Sequence, residues 1–217
     1  MTLHIDFETF SPLDLKKCGV YKTYAHPQAG IHCMAWRIDS DPVKVWLPTF
    51  PIPKIIREYL YESEGEVVAH NANFERTLWR QVLAPRYGLP DIPLERWRCT
   101  MAQARALALP AGLEDCCAAI GLSIKKDPIG YGVMLKFCKP RKVNDDGTFE
   151  WWHDDPAQAE KLDHLYEYCA NDVEMECLLD QKLLRLRPEE LRLWQLDQRI
   201  NDRGVETDPE LAERAKV

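Results

Sequence analysis

No stretch of this 217-residue sequence approaches the ~18 consecutive apolar residues that a membrane-spanning helix needs. The opening MTLHIDFETF carries acids at once and has no apolar run of signal-peptide length. Among its eight cysteines no CxxC spacing occurs, which removes the usual zinc and redox signatures. Reduced, mostly buried thiols in a cytosolic protein are the expectation. Neither proline nor glycine is in excess and no low-complexity linker appears, so wholesale disorder is excluded. A surplus of positive charge is missing too. The net charge of −7 argues against general wrapping of duplex DNA, although a local basic strip can sit inside an acidic total.

What is present is enough hydrophobic material, 46%, for one sizeable core and one main domain. Short apolar or alternating runs predict strands over Leu3–Phe7, Ile31–Ile38, Val43–Leu47 and Glu66–Ala69. Helical spacing marks Pro53–Tyr61, Phe74–Leu83 (ending before Pro85 and Gly88), Thr100–Leu109 and Leu113–Ile120. A long helical run covers Pro156–Leu186, and Pro188 opens another helix as a first-turn residue. The polar stretch Pro140–Pro156, with Asn144–Gly147 as a turn, reads as an exposed loop or short hairpin. The order predicts an α/β domain around a mixed central sheet flanked by helices. The final segment, Pro209 to Val217, is an unfinished amphipathic pattern that reads as a truncation.

Three short patterns carry chemistry. Asp6 and Glu8 are two apart on a strand, so they share a face while Phe7 enters the core. Paired carboxylates repel, and a hard divalent cation relieves that cost. Downstream, Ala69-His70-Asn71-Ala72-Asn73-Phe74-Glu75 passes from strand to helix, with Asn71 or Asn73 as a cap and Glu75 in the first turn. Last, Tyr168 and Asp172 lie one turn apart on a helix face. Each pattern alone reads better as something plain: a solvated acid pair, a turn with a first-turn acid, or a core tyrosine beside a surface aspartate. Together and in this order they are specific.

In these residues the sequence resembles the DEDD exonucleases. The match is to the tyrosine subclass found in the proofreading domains of family A DNA polymerases, phage enzymes especially. Its motifs correspond to Asp6-Phe7-Glu8, Asn71 to Glu75, and Tyr168 to Asp172. Glu75 departs from the family's usual aspartate. The histidine subclass does not fit, because the position it needs is Glu167, and His164 reads as a surface helix residue. The resemblance implies an RNase H-like fold and hydrolysis of phosphodiesters at the 3′ end of single-stranded DNA or a frayed primer terminus. Nucleoside 5′-monophosphates would be released. It further implies two divalent ions, Mg2+ or Mn2+. Asp6 would bridge them, Glu8 and Asp172 would serve the nucleophile side, Glu75 the second ion, and Tyr168 would orient the attacking water. Thr9 is the expected partner of the terminal 3′-hydroxyl, and Phe10, Asn71 and Phe74 are expected near the substrate.

A basic strip between Lys125 and Lys142 sets six cations, among them Lys136, Lys139 and Arg141, against Asp127. It reads equally as a single-strand track or a solvated face. The expected division is an exonuclease domain over 1–187 and, over 188–217, a helical segment resembling the entry to a polymerase domain of the same longer chain. A cytoplasmic location follows, in the host if the chain is phage-encoded. Two other readings stay open: an RNase D-like exoribonuclease, and a catalytically weakened module that holds DNA or braces a polymerase.

Overall fold

The computed structural model describes residues 1–215. Lys216 and Val217, which end the amphipathic segment read above, lie outside them. The chain divides into two compact units, Met1–Arg185 and a remainder from Leu186. In the first, the elements run β1 (Thr2–Phe10), α1 (Leu15–Tyr24), β2 (Gly30–Ile38), β3 (Lys44–Trp46), α2 (Lys54–Glu62), β4 (Glu66–Ala69), α3 (Asn73–Leu78) and α4 (Ala84–Tyr87). There follow β5 (Trp97–Cys99), α5 (Thr100–Ala106), α6 (Leu113–Ala119), α7 (Pro128–Phe137), β6 (Lys142–Val143), β7 (Phe149–Glu150) and α8 (Ala159–Asp180). The second unit holds α9 (Pro188–Arg203) and α10 (Pro209–Arg214). Pro188 occupies the first turn of α9, and Gly204, at φ 70°, follows its end.

Five strands form one mixed sheet in the order β3-β2-β1-β4-β5. The central β1 is antiparallel to β2 and parallel to β4. Leu3, Ile5 and Phe7 are buried on one face of β1; His4 and Glu8 are buried on the other, with Asp6 half-buried between them. Alternation therefore separates apolar from polar residues without giving either face to solvent.

Helix α8 lies over the polar face. Its Cys169, Val173 and Cys177 pack on Cys33 and Ala35 of β2, whose small side chains allow close approach. Met175 and Leu179 join Ala104, Leu113, Cys116 and Cys117 in a second cluster, and Leu165 meets Val133 and Phe137 in a third. Full burial of such an aliphatic side chain contributes roughly 1.5–3 kcal/mol. Six of the eight free cysteines are buried.

Several elements differ from expectation. β1 runs on to Phe10, which places Glu8, Thr9 and Phe10 within the strand. α1 has no clear apolar stripe, and Gly19, at φ 71°, interrupts it. The side chain of Asp14 starts it by accepting from Lys16 and Lys17 N–H groups. β5 is three residues long, too short for periodicity to reveal. The helix expected to stop before Pro85 passes through a wider turn at Trp79–Leu83 and continues to Tyr87, where Gly88 at φ 59° ends it. Pro85 falls in the first turn of α4, where its missing N–H costs little. α7 lies inside the stretch read as a basic strip, its start capped by Asp127. The long run read from Pro156 resolves into a 3-10 turn and then α8.

A buried ion pair ties the sheet edge to the last turn of α8. Arg98 of β5 donates Nη2 to Asp180 Oδ2 at 2.9 Å and Nη1 to the other oxygen, and its Nε lies 3.3 Å from Glu66. Removing one partner strands a buried charge. Asp180→Ala is accordingly expected to lower unfolding stability by about 3 kcal/mol in urea titrations; a loss under ~1 kcal/mol would show that Glu66 alone satisfies the guanidinium.

Candidate active site

The acids reach one place from three elements. β1 presents Asp6 and Glu8 on its polar face, and its register with β2 shifts between Glu8 and Thr9, where the pairing passes from Cys33 to Ile31. Such a bulge re-aims neighbouring side chains. Glu75 arrives from the β4–α3 junction. Asn71 there adopts φ 71°, a left-handed conformation that asparagine tolerates, and its carbonyl accepts from Phe74 N–H at 2.9 Å. That turn directs Glu75 inward to 3% exposure. Neither asparagine caps α3 as expected: the cap position is Ala72, with no side-chain bond, and Asn73 Oδ1 accepts from Tyr21 Oη at 3.0 Å. From α8 come Tyr168 and Asp172, both buried.

Burial holds all four carboxyls above their usual range, and the charge of a neighbouring acid adds to each. Asp6 is pushed up to about 7, first by burial and then by Asp172. Burial likewise raises Glu8 and Glu75, and the charge of Asp6 adds to both. Burial raises Asp172 as well, against an opposing pull from Lys126. Burial lifts the Tyr168 hydroxyl to about 12, so it keeps its proton at neutral pH. Its ring packs on Gly130 of α7, where an added Cβ would stand 2.6–2.8 Å from ring and Cβ atoms of Tyr168.

The donor set fits a hard divalent ion. Ligand atoms of Asp6, Glu8 and Cys169 lie within 4.8 Å of one another. Glu75 Oε2 and Asp172 Oδ1 are buried with no hydrogen-bond partner among the described residues. Facing carboxylates with unused oxygens suit magnesium or manganese. Cys169 is a soft donor whose thiol is raised by burial, and it hydrogen-bonds Asp6 Oδ2 at 3.6 Å, which makes it a neighbour of the acids and not a ligand for such an ion.

The residues expected at the substrate are placed as follows. Thr9 Oγ1 shares a 2.6 Å hydrogen bond with Tyr24 Oη, and the Phe74 ring meets Tyr24 edge-on at 5.4 Å. Phe10 packs in a cluster with His32, Trp151 and His153 at 4.5–4.8 Å. The basic strip does not form one track. Lys126 turns in to the acids. Lys136 lies 3.7 Å over the Trp152 ring and bonds Gln158, while Arg141 pairs with Asp155. Lys139 is exposed. His164, read as a surface residue, is partly exposed and pairs with Asp127.

The sequence reading missed Lys126, Cys169 and Tyr24 as neighbours of the site. Lys126 donates to Tyr168 Oη at 3.0 Å and to Asp172 Oδ2. All three are brought in by tertiary packing, and no local spacing marks them.

No protein-family model matches the chain. The sequence is 38% identical over 221 aligned residues to a DNA polymerase of Bacillus phage SP02, an alignment covering 99% of this chain and 33% of that protein. The chain thus spans about a third of the length of that relative. Among solved structures it is similar to Trypanosoma brucei RNase D in complex with RNA U12 (TM-score 0.54, 15% identity, 86% of this chain and 56% of that one). It is also similar to Brucella melitensis NrnC with bound Mg2+ (TM-score 0.50, 16% identity, 96% and 89%). The fold defines the class: an RNase H-like domain, a mixed five-stranded sheet flanked by helices. Within that class, the chain is a homologue of one third of a phage DNA polymerase.

Raised carboxyls give the metal-free protein a pH-dependent stability. A carboxyl whose folded pKa exceeds its unfolded value contributes stability that is present below the unfolded pKa, 3.8 for Asp6, and lost as pH rises through about 7. In EDTA the melting temperature should fall from pH 5 to pH 8, and added Mg2+ should raise it more at pH 8. An equal Mg2+ effect at both pH values would contradict the assignment of these acids as its ligands.

Proposed function

We propose that this chain is the 3′→5′ exonuclease domain of a longer DNA polymerase. It would hydrolyse the 3′-terminal phosphodiester of single-stranded DNA or of a frayed primer end. The observation that carries the reading is the convergence of half-buried Asp6 and buried Glu8, Glu75 and Asp172, four carboxyls with raised pKa, beside the Tyr168 hydroxyl. Identity to a phage DNA polymerase supports DNA as substrate and a polymerase domain elsewhere in the same longer chain. In that arrangement the segment from residue 188 leads toward the polymerase domain. No helix among the described residues is long and apolar enough to cross a membrane.

Asp6, Glu8, Glu75 and Asp172 would together hold two divalent ions, Mg2+ or Mn2+. When bound, such ions lower the pKa of water and offset charge on the phosphate. Tyr168, protonated at neutral pH, orients the attacking water by hydrogen bonding and is not its base. Water oxygen bonds to phosphorus and the bond to the 3′ oxygen breaks, leaving a nucleoside 5′-monophosphate and a new 3′-hydroxyl. Thr9, hydrogen-bonded to Tyr24, would receive the terminal 3′-hydroxyl, and Asn71 and Phe74, whose ring meets Tyr24, would contact the strand end. Burial dries the site, so each of these contacts acts more strongly than it would in water.

The assay is degradation of a 5′-labelled single-stranded DNA oligomer with Mg2+ or Mn2+, beside an RNA oligomer of the same sequence. A ladder shrinking from the 3′ end, absent with EDTA and reduced on the order of a thousandfold in Asp6→Ala, is expected. Faster cleavage of RNA would favour the exoribonuclease reading. Binding without turnover would leave a DNA-holding module. Tyr168→Phe should slow single-turnover cleavage about a hundredfold with oligomer affinity kept. Gly130→Ala, which pushes on the Tyr168 ring, should slow it in the same sense by about tenfold; a wild-type rate in that variant would show that the ring relocates freely.

A further inference from the structure

Lys126 is held in a way that a surface lysine is not. It lies in the segment between α6 and α7, and the backbone is fastened on both sides of it. Lys126 N–H donates to Glu114 Oε1 at 3.3 Å, and Lys125 carbonyl oxygen accepts from Asn171 Nδ2 at 3.1 Å. Asp127 caps α7 through the Ile129 and Gly130 N–H groups at 2.9 and 3.0 Å and pairs with His164. From this fixed base the side chain turns inward. Its ammonium lies 5.0 Å from the centre of the Tyr168 ring, donates to Tyr168 Oη, and contacts Asp172 Oδ2. The Lys126 side chain is 25% exposed and that of Asp172 10%. The charge of Lys126 acts on Asp6, Glu8 and Asp172 alike, and in each case it favours the ionised carboxylate.

We propose that Lys126 is the resident counter-ion of the acid site: its ammonium competes with a divalent ion for the negative charge centred on Asp172, and so sets how tightly the site takes metal. The inference rests on reading the cluster as a metal-binding nuclease site. Asp172 offers one oxygen to Lys126, while the other has no hydrogen-bond partner among the described residues. A metal ligated there meets a fixed positive charge across the same carboxylate, in surroundings that screen poorly. Lys126 thereby stabilises the acids without metal and weakens metal binding. A lysine that merely kept Asp172 in place would act oppositely, because its removal would scatter a ligand and loosen the metal.

The test is Mn2+ binding to the full chain without nucleic acid, by isothermal titration calorimetry. Lys126→Gln should bind Mn2+ about tenfold more tightly than the unsubstituted chain, and Lys126→Arg, which keeps the charge, within about twofold of it. Lys126→Met preserves the stem over the Tyr168 ring and should match Lys126→Gln; it carries the test if that variant fails to fold. Equal or weaker Mn2+ affinity in the neutral variants overturns the proposal. So does absence of Mn2+ binding by the unsubstituted chain. The oligomer assay runs beside it on the unsubstituted protein: failure there defeats the exonuclease reading, and the manganese comparison still decides Lys126.

Discussion

The structure depends on a confined seam of like charge between β1 and α8. His4, Asp6 and Glu8 recur every second residue on the strand, and Asp172, Glu176 and Asp180 recur every fourth on the helix facing it. Carboxylates in such a place are costly unless a cation or a proton accompanies them. At the inner end Arg98 grips Asp180; in the middle His4 meets Glu176 at 2.5 Å; at the mouth Lys126 meets Asp172. Asp180 thus has a guanidinium and Glu176 an imidazole as its partner. At the mouth one lysine acts on Asp6, Glu8 and Asp172, and Glu75 adds a further carboxyl, so the acids there outnumber their counter-charge.

Much of this was legible in the chain. The strand Leu3–Phe7 announced itself by alternation, Tyr168 and Asp172 by helical spacing, and Glu75 by its place after a strand-to-helix junction. Those are local periodicities, and they also indicated an α/β domain with a mixed sheet. Lys126 belonged to a run of cations that read equally as a nucleic-acid track or a solvated face, but its direction is set by fixtures at neighbouring Asp127 and at Glu114 and Asn171, distant in sequence. β5 and α1 escaped for a related reason: three residues show no period, and a helix broken at Gly19 shows no stripe.

The framework around the acids is unequally stiff by chemistry. Behind Tyr168 is the backbone of Gly130, which leaves no room for a side chain to intervene. Behind Thr9 stands Tyr24, itself braced by Phe74. Beyond Phe10 the contacts are rings on rings, with Trp152 nearby covered by Lys136 and Arg141. Lys136 and Arg141 are engaged by Trp152 and Asp155, which leaves Lys125 and Lys139 as exposed charges of the basic strip.

The two-faced burial of β1 also bears on misfolding. Most strands that slip by one residue trade a wet face for a dry one. Here a slip would bring Leu3, Ile5 and Phe7 beneath α8 and drive His4, Asp6 and Glu8 into the aliphatic side of the sheet, stranding three polar groups where no cation waits. The same alternation that gathers the acids thus penalises a slipped register twice, through the buried polar groups and through the lost apolar packing.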